Sequence, residues 1–219
     1  MVMMRATRLC LVRHGETAWN AERRLQGHLD VPLNEIGHAQ AEATAASLAE
    51  HRFAAFYCSD LRRAQQTAAA AGRTLGFEAT LEPELRERHY GIFQGLTYDE
   101  ARERFPQDFA RFHARDPDFA FCGDGESLAA FAARIHRALD RIAARHAGRQ
   151  TLVVTHGGVL DIAHRLATGK ALDAPRDFTI PNAALNWINW IEFDGRRWHL
   201  LAWADQAHLP AARDELPNT

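Results

Sequence analysis

Two apolar stretches of this chain each end in a histidine followed by a glycine, and a helix-like pattern follows. Residues 7–13 lead into His14-Gly15, and residues 151–155 lead into His156-Gly157. Strands that alternate with helices in this way predict an α/β fold built on a largely parallel sheet. Ligands bind such sheets beyond the carboxyl ends of the strands. We therefore expect the two histidines to face one another across a crevice if their strands are neighbours.

Other segments continue this alternation of strands and helices. Short strands are predicted at 53–58 and 79–85. Helices are predicted at 34–49, capped by Asn34, at 61–75, capped by Ser59-Asp60, from Leu128 to a stop at Gly148, and at 160–168. Asp194-Gly195 predicts a tight hairpin turn between strands at 184–193 and 197–203. We predict a three-layer α/β sandwich with a mixed, mostly parallel sheet and helices on both faces.

The composition is typical of a cytoplasmic protein with one domain spanning residues 1–219. The chain has 219 residues, 47% of them hydrophobic, which is enough for a full core. A formal net charge of −2 argues against broad nucleic-acid binding, and no apolar stretch is long enough to cross a membrane. The three cysteines lie far apart in the sequence, so we expect free thiols in a reducing compartment.

Residues 92–123 differ in character from the rest of the chain. Pro106 and Pro117 interrupt this segment, which indicates short helices and loops laid over the sheet as a lid-like insert. Its aromatic residues can either cover a site or anchor the insert to the core. These residues are Phe105, Phe109, Phe112, Phe119 and Phe121.

The two strand-ending histidines suggest either a metal site or nucleophilic chemistry. A stable zinc site needs three or four ligands, and neither motif supplies an H-x-H pattern or a nearby cysteine. A neutral imidazole can instead attack phosphorus and form a phosphohistidine. Arg13 would then neutralise charge on the phosphoryl oxygens, and Gly15 would let backbone N–H groups approach an anion. We favour the second interpretation and expect no metal.

Two more segments can supply the remaining groups of such a site. Arg62 and Arg63 stand about 100° apart on their predicted helix, so we expect only one to point into the pocket. Residues 84–91 offer carboxylates that can protonate a leaving alkoxide, and a carboxyl group holds its proton more strongly beside a phosphate dianion. The alternative for 84–91 is a solvated run of charges.

Taken in this order, the motifs resemble those of the histidine phosphatase superfamily, the phosphoglycerate mutase-like proteins. The resemblance extends from Leu9 to about Ala184. It rests on Arg13-His14-Gly15-Glu16-Thr17, Trp19-Asn20, Gln26-Gly27, Pro32-Leu33, residues 59–68, residues 87–91, Gly125-Glu126-Ser127 and residues 155–158. Each motif alone is modest, but their combination in this order is highly specific.

The resemblance implies a role for individual residues. His14 would be the phosphorylated nucleophile and Glu87 the proton donor. Arg13, Arg63 and His156 would hold the phosphoryl group. The implied substrate-binding residues are Asn20, Gln26, Gly27, Arg88, Tyr90 and the N–H of Gly157. Members of the family work without a metal, so we expect no cofactor here.

The family contains both mutases and phosphatases. The cofactor-dependent mutases have an asparagine where this chain has Gly158, and a longer insert with two adjacent arginines that grip the substrate carboxylate. No two arginines are adjacent between Gly91 and Gly125, and the insert is rich in phenylalanine. We therefore predict a phosphatase with an apolar lid that suits larger or less charged phosphate monoesters.

Our hypothesis is a broad or unidentified specificity for monoesters, with α-ribazole phosphate and the phosphoglycerates as candidate substrates. The alternative activity is a 2,3-bisphosphoglycerate-dependent phosphoglycerate mutase, followed by a non-catalytic relative that binds phosphate or a partner. Four tryptophans of the predicted hairpin would pack in the core or form a homodimer surface. They are Trp187, Trp190, Trp198 and Trp203.

Overall fold

A single six-stranded sheet organises the computed structural model, which describes residues 6–193 and 196–210. The strands are β1 (Thr7–Arg13), β2 (Ala55–Cys58), β3 (Thr80–Leu81), β4 (Gln150–Thr155), β5 (Leu185–Phe193) and β6 (Arg196–Asp205). Their order across the sheet is β3-β2-β4-β1-β5-β6. The first four strands run parallel, whereas β5 and β6 pair antiparallel. The mixed, mostly parallel sheet is therefore as predicted.

The strands β1 and β4 are neighbours, which meets the condition for the two histidines to face one another. They pair in parallel register from Arg8 opposite Gln150 to Arg13 opposite Thr155. His14 and His156 therefore leave the sheet side by side at its carboxyl edge. The predicted turn at Asp194-Gly195 lies outside the described residues.

Helices cover both faces of the sheet. They are α1 (Ala18–Ala21), α2 (Glu35–Leu48), α3 (Arg62–Leu75), α4 (Tyr98–Arg104), α5 (Pro106–His113), α6 (Leu128–Arg145) and α7 (Gly157–Thr168). Because strand side chains alternate, Cys10 and Val12 pack with α2 and α3, whereas Leu9 and Leu11 pack with α6 and α7. The predicted three-layer architecture is confirmed.

Three boundaries differ from the sequence prediction for local reasons. Helix α3 is capped at Leu61 without a side-chain hydrogen bond, so the predicted cap at Ser59-Asp60 is wrong. Strand β3 ends at Leu81, because Pro83 begins a short 3₁₀ turn that removes a ladder donor. Helix α7 begins at Gly157, three residues before its predicted start. The first helical turn therefore follows His156 directly.

The phenylalanines of the insert pack mainly against one another. Phe93 and Phe112 lie with ring centroids 6.0 Å apart, and Phe93 and Phe121 lie 5.0 Å apart. The buried members of this second small core also include Leu25, Tyr90, Ala101, Phe109 and Phe119. The aromatic residues of the insert therefore form a small core of their own, and the role of the insert as a lid stays a prediction.

The hairpin tryptophans pack within the protein's own fold. Trp198 is buried, whereas Trp190 and Trp203 are half-buried against the same core. The indole N–H groups of Trp190 and Trp198 both donate to Asp140, at 3.2 and 2.9 Å. The homodimer surface stays a prediction. No helix in the described part of the chain is long and apolar enough to span a bilayer.

Candidate active site

His14 directly follows β1 and presents one ring nitrogen for reaction. Its Nδ1 lies 2.7 Å from the carbonyl oxygen of Gly15. Because a carbonyl oxygen only accepts, Nδ1 carries the proton and Nε2 keeps its lone pair. The Nε–H of Arg63 donates to this Nε2 over 3.2 Å. The backbone therefore sets the tautomer that a nucleophilic imidazole requires.

Both strand-ending histidines are held in the neutral form. Burial, and then the charges of Arg63 and Arg13, hold the pKa of His14 well below its usual range. Burial and the charge of Arg63 also lower the pKa of His156. The two ring centroids are 5.2 Å apart. The Nε2 of His156 lies 2.8 Å from the hydroxyl of Ser59, which follows β2.

Arg63 binds both His14 and the neighbouring loop. Its Nη2 donates to the carbonyl of Gly27 over 2.8 Å, and its Nη1 donates to that of Leu29 over 2.9 Å. Burial lowers the pKa of Arg63 to about 10, so the group stays cationic at neutral pH. The side chain of Arg62 is exposed. One arginine of the pair points inward and the other outward, as the helical spacing predicts.

Gly15 has a different local role from the one inferred from sequence. Its N–H donates to the hydroxyl of Thr67 over 3.0 Å, so this group is engaged within the protein. A Cβ atom at this position would lie 2.4 Å from the carbonyl oxygen of Gly37. Gly15 therefore permits close packing of α2 against the turn that follows His14.

A cavity of about 400 Å³ opens in front of His14. The sequence-predicted residues that line it are Arg13, His14, Asn20, Gln26, Gly27, Arg63, Glu87 and Tyr90. Arg23, Arg24 and Tyr98 also line it and were not identified from the sequence. Arg13 is 2% exposed and donates from Nη1 to the carbonyl of Ile180 over 2.7 Å. The cavity therefore places an imidazole, buried cations and a carboxyl group around one space.

The Glu87 carboxylate sits at the amino terminus of α7. One oxygen accepts the N–H of Gly158 over 2.9 Å, and the other accepts the N–H of Arg88 over 2.7 Å. A Cβ atom on residue 158 would lie 2.1 Å from the Glu87 Oε1 atom. Only glycine at position 158 therefore permits this position of the carboxylate. Gly157, the first residue of α7, is buried beside it.

A second cavity, of about 490 Å³, adjoins the first, with Tyr90 and Tyr98 lining both. Gly158 lines the second cavity, so the Glu87 carboxylate lies at the junction of the two. Three arginines line the second cavity, together with one carboxylate and several apolar rings. The charged residues are Arg88, Arg115, Arg176 and Asp161. The interior of the insert is therefore apolar, as expected, whereas the wall of this cavity carries several charged side chains.

The second cavity holds more buried positive than negative charge. Asp161 pairs with Arg115 over 2.6 Å and with Arg165 over 2.9 Å. Burial lowers the pKa of Arg88 to about 10 and also lowers the pKa of Arg115. Arg88 donates to the carbonyl oxygens of Glu126 and Phe119, both over 3.1 Å, and with Arg115 and Arg176 it leaves the wall of this cavity positively charged overall.

Known proteins resemble this chain over most of its length, in sequence and in structure. The sequence profile of the histidine phosphatase superfamily (branch 1) matches residues 9–206. "Phosphoglycerate mutase-like protein 4" of Arabidopsis thaliana is 40% identical over 203 residues, covering 92% of this chain and 86% of that relative. "Metal-independent phosphoserine phosphatase" of the same plant is 39% identical over 210 residues, covering 93% and 83%. A solved mycobacterial glucosyl-3-phosphoglycerate phosphatase has a TM-score of 0.76 at 31% identity, covering 90% and 98%.

Proposed function

Because the chain belongs to the histidine phosphatase superfamily, we propose that it hydrolyses phosphate monoesters through a phosphohistidine formed on His14. The observation that carries this proposal is a buried, neutral imidazole whose Nε2 lone pair is directed towards Arg63. The family membership and the phosphatase names of similar proteins support hydrolysis as the net reaction.

In the first step, the lone pair of His14 Nε2 attacks phosphorus, and the bond from phosphorus to the leaving oxygen breaks. Protonated Glu87 gives its proton to the departing alkoxide, so the product is a neutral alcohol. Arg13 and Arg63 stabilise the charge that spreads over the phosphoryl oxygens. His156, to which the resemblance assigns the same role, is buried beside His14 and does not line this cavity. Asn20, Gln26 and Gly27 complete the wall of this phosphate pocket.

In the second step, water attacks the phosphohistidine on the face that the alcohol has left. The Glu87 carboxylate accepts a proton from this water, the nitrogen–phosphorus bond breaks, and inorganic phosphate is released. His14 returns to its neutral form and Glu87 to its protonated form. The cycle needs no group beyond the side chains named and water.

The second cavity receives the leaving alcohol, and its charge favours an alcohol that bears a carboxylate. Glu87 lies at the junction of the two cavities, so an ester with its phosphate near His14 extends towards Arg88, Arg115 and Arg176. Two of the similar proteins are named for phosphoserine and for a phosphoglycerate derivative, both of which carry a carboxylate.

Phosphoserine and phosphoethanolamine test this substrate class, because they differ only by a carboxylate. We expect kcat/KM to be about tenfold higher for phosphoserine, since one hydrogen bond to a charged group contributes roughly 1.5 kcal/mol or more. Arg176→Gln should reduce this ratio while hydrolysis of 4-nitrophenyl phosphate is retained. Equal kcat/KM values for the two esters in the unmodified protein would refute the proposed class.

The alternative activity is transfer of the phosphoryl group to a second substrate, which the mutase-like name of one relative favours. The position of Glu87 depends on Gly158, where the cofactor-dependent mutases carry an asparagine. We expect hydrolysis of 3-phosphoglycerate to exceed its 2,3-bisphosphoglycerate-dependent conversion to 2-phosphoglycerate. Faster interconversion than hydrolysis would establish a mutase, and no turnover of any ester would indicate a non-catalytic relative.

A further inference from the structure

Glu87 lies in a segment that no helix or strand supports. Residues 86–90 connect two short 3₁₀ turns, Pro83–Leu85 and Gly91–Phe93. Backbone groups in such a segment lack ladder partners and must be satisfied by other contacts when they are buried. A carboxyl group that transfers a proton nevertheless has to be held precisely. In addition to the two N–H groups that bind the carboxylate, the backbone that carries it must therefore be held by contacts with other elements.

Arg134, on α6, supplies most of these contacts. Its Nη1 donates to the carbonyl oxygen of Glu84 over 2.6 Å and to that of Arg86 over 3.0 Å. Its Nη2 donates to the carbonyl oxygen of Glu87 itself over 3.2 Å. One planar guanidinium thus holds three carbonyl groups on the approach to the carboxyl-bearing residue.

Glu126 orients Arg134 and holds the other side of the segment. Its carboxylate accepts two hydrogen bonds from Arg134, Nε to Oε1 and Nη2 to Oε2, both over 2.7 Å. Its Oε2 also accepts the backbone N–H of His89 over 3.0 Å. The side chains of Glu126 and Arg134 are 22% and 15% exposed, so solvent screens this pair only partly. Together they contact the chain before and after Glu87.

His28 connects the same carbonyl group to the phosphate pocket. Its Nε2 donates to the carbonyl oxygen of Glu87 over 2.8 Å. The residues on either side of it, Gly27 and Leu29, are the carbonyl partners of Arg63. The proton donor and the phosphate-binding arginine are thereby joined through one short loop.

We propose that Arg134 and Glu126 form a clamp that positions the Glu87 carboxyl group against the leaving oxygen. Neither clamp residue lines the cavity in front of His14, so both act through Glu87 rather than on the substrate. This role rests on the proposed function, in which Glu87 protonates the leaving group. Loss of the clamp must therefore lower kcat/KM most for esters whose leaving alkoxide depends most on protonation by Glu87.

Arg134→Gln tests the clamp through its dependence on the leaving group. For alkyl phosphates, whose alkoxides leave poorly, we expect kcat/KM to fall about 10- to 100-fold, because small displacements of a reacting group are that costly. For 4-nitrophenyl phosphate, whose phenolate leaves without an acid, we expect a change of less than about twofold. In a Glu87→Gln background, Arg134→Gln should cause no further loss that depends on the leaving group.

Arg141→Gln is the matched control, since Arg141 lies two turns further along α6. Its own exposed side chain pairs with the half-buried carboxylates of Glu82 and Glu84 instead of backbone carbonyls. We expect Arg141→Gln to change kcat/KM by the same factor for alkyl and aryl esters. If Arg134→Gln does not fold, Glu126→Gln provides the same test with a smaller expected loss. Equal losses for alkyl and aryl esters, or none, would overturn the clamp. If Glu87→Gln itself shows no dependence on the leaving group, the assignment of the proton donor fails instead.

Discussion

Replacing His14 with alanine is expected to abolish hydrolysis of 4-nitrophenyl phosphate, with kcat falling by about 10⁴-fold or more. The reason is that no other group in the described structure presents a neutral nitrogen lone pair beside both Arg13 and Arg63 at the phosphate pocket. His156 lies behind His14, is fully buried, and is absent from the lining of that cavity. Steady-state kinetics with the aryl ester give the measurement.

His38→Ala is the matched control for this substitution. His38 is exposed on α2, so its removal should leave kcat and KM unchanged. Circular dichroism and thermal unfolding of both variants establish that the fold is retained. Substantial turnover by folded His14→Ala protein would exclude His14 as the nucleophile.

Replacing Glu87 with glutamine is expected to lower kcat/KM, which reports the step in which the alcohol leaves, by about 10²- to 10⁴-fold for alkyl phosphates and by far less for nitrophenyl esters. An amide cannot give up a proton to an alkoxide. It also presents an NH₂ group to one of the two backbone N–H donors that now bind the carboxylate, those of Arg88 and Gly158. A plot of log kcat/KM against the pKa of the leaving alcohol measures the effect.

This plot should be steeper for the variant than for the unmodified protein. Without an acid, negative charge accumulates on the leaving oxygen, so the rate depends more strongly on the stability of the alkoxide. Parallel plots, displaced by the same factor for every ester, would show that Glu87 does not donate the proton.

The sheet and the phosphate pocket were predictable because their signals are local in the sequence. An apolar run ending in Arg13-His14, and another ending in His156, place two imidazoles at one edge as soon as β1 and β4 are adjacent. Helical geometry alone predicts that only one of Arg62 and Arg63 points into the pocket, and the resemblance to the family assigns that position to Arg63. Strand periodicity and helix phase are properties of short segments, and tertiary contacts did not override them here.

The second cavity and the clamp were only partly predictable. Arg88, Tyr90 and Glu126 lie in motifs that the sequence shows, but the other parts come from distant segments. Arg115 comes from the end of the insert, Asp161 from α7 and Arg176 from the loop before β5. Arg134 contacts carbonyl groups about 50 residues away in sequence. A backbone carbonyl group carries no sequence signal, and Arg134 lies in no recognisable motif. Only Asp161 and Arg165, four residues apart on α7, carried a local hint of an ion pair.

A phosphohistidine on His14 can be trapped and identified chemically. Unmodified protein, mixed with a ³²P-labelled monoester and quenched within milliseconds, should carry label that is stable in alkali and lost in acid, as a phosphohistidine is. Digestion and mass spectrometry should place that phosphoryl group on His14, and His14→Ala protein should carry none. Label found on another residue, or complete turnover with no labelled protein at any quench time, would contradict a phosphohistidine mechanism on His14.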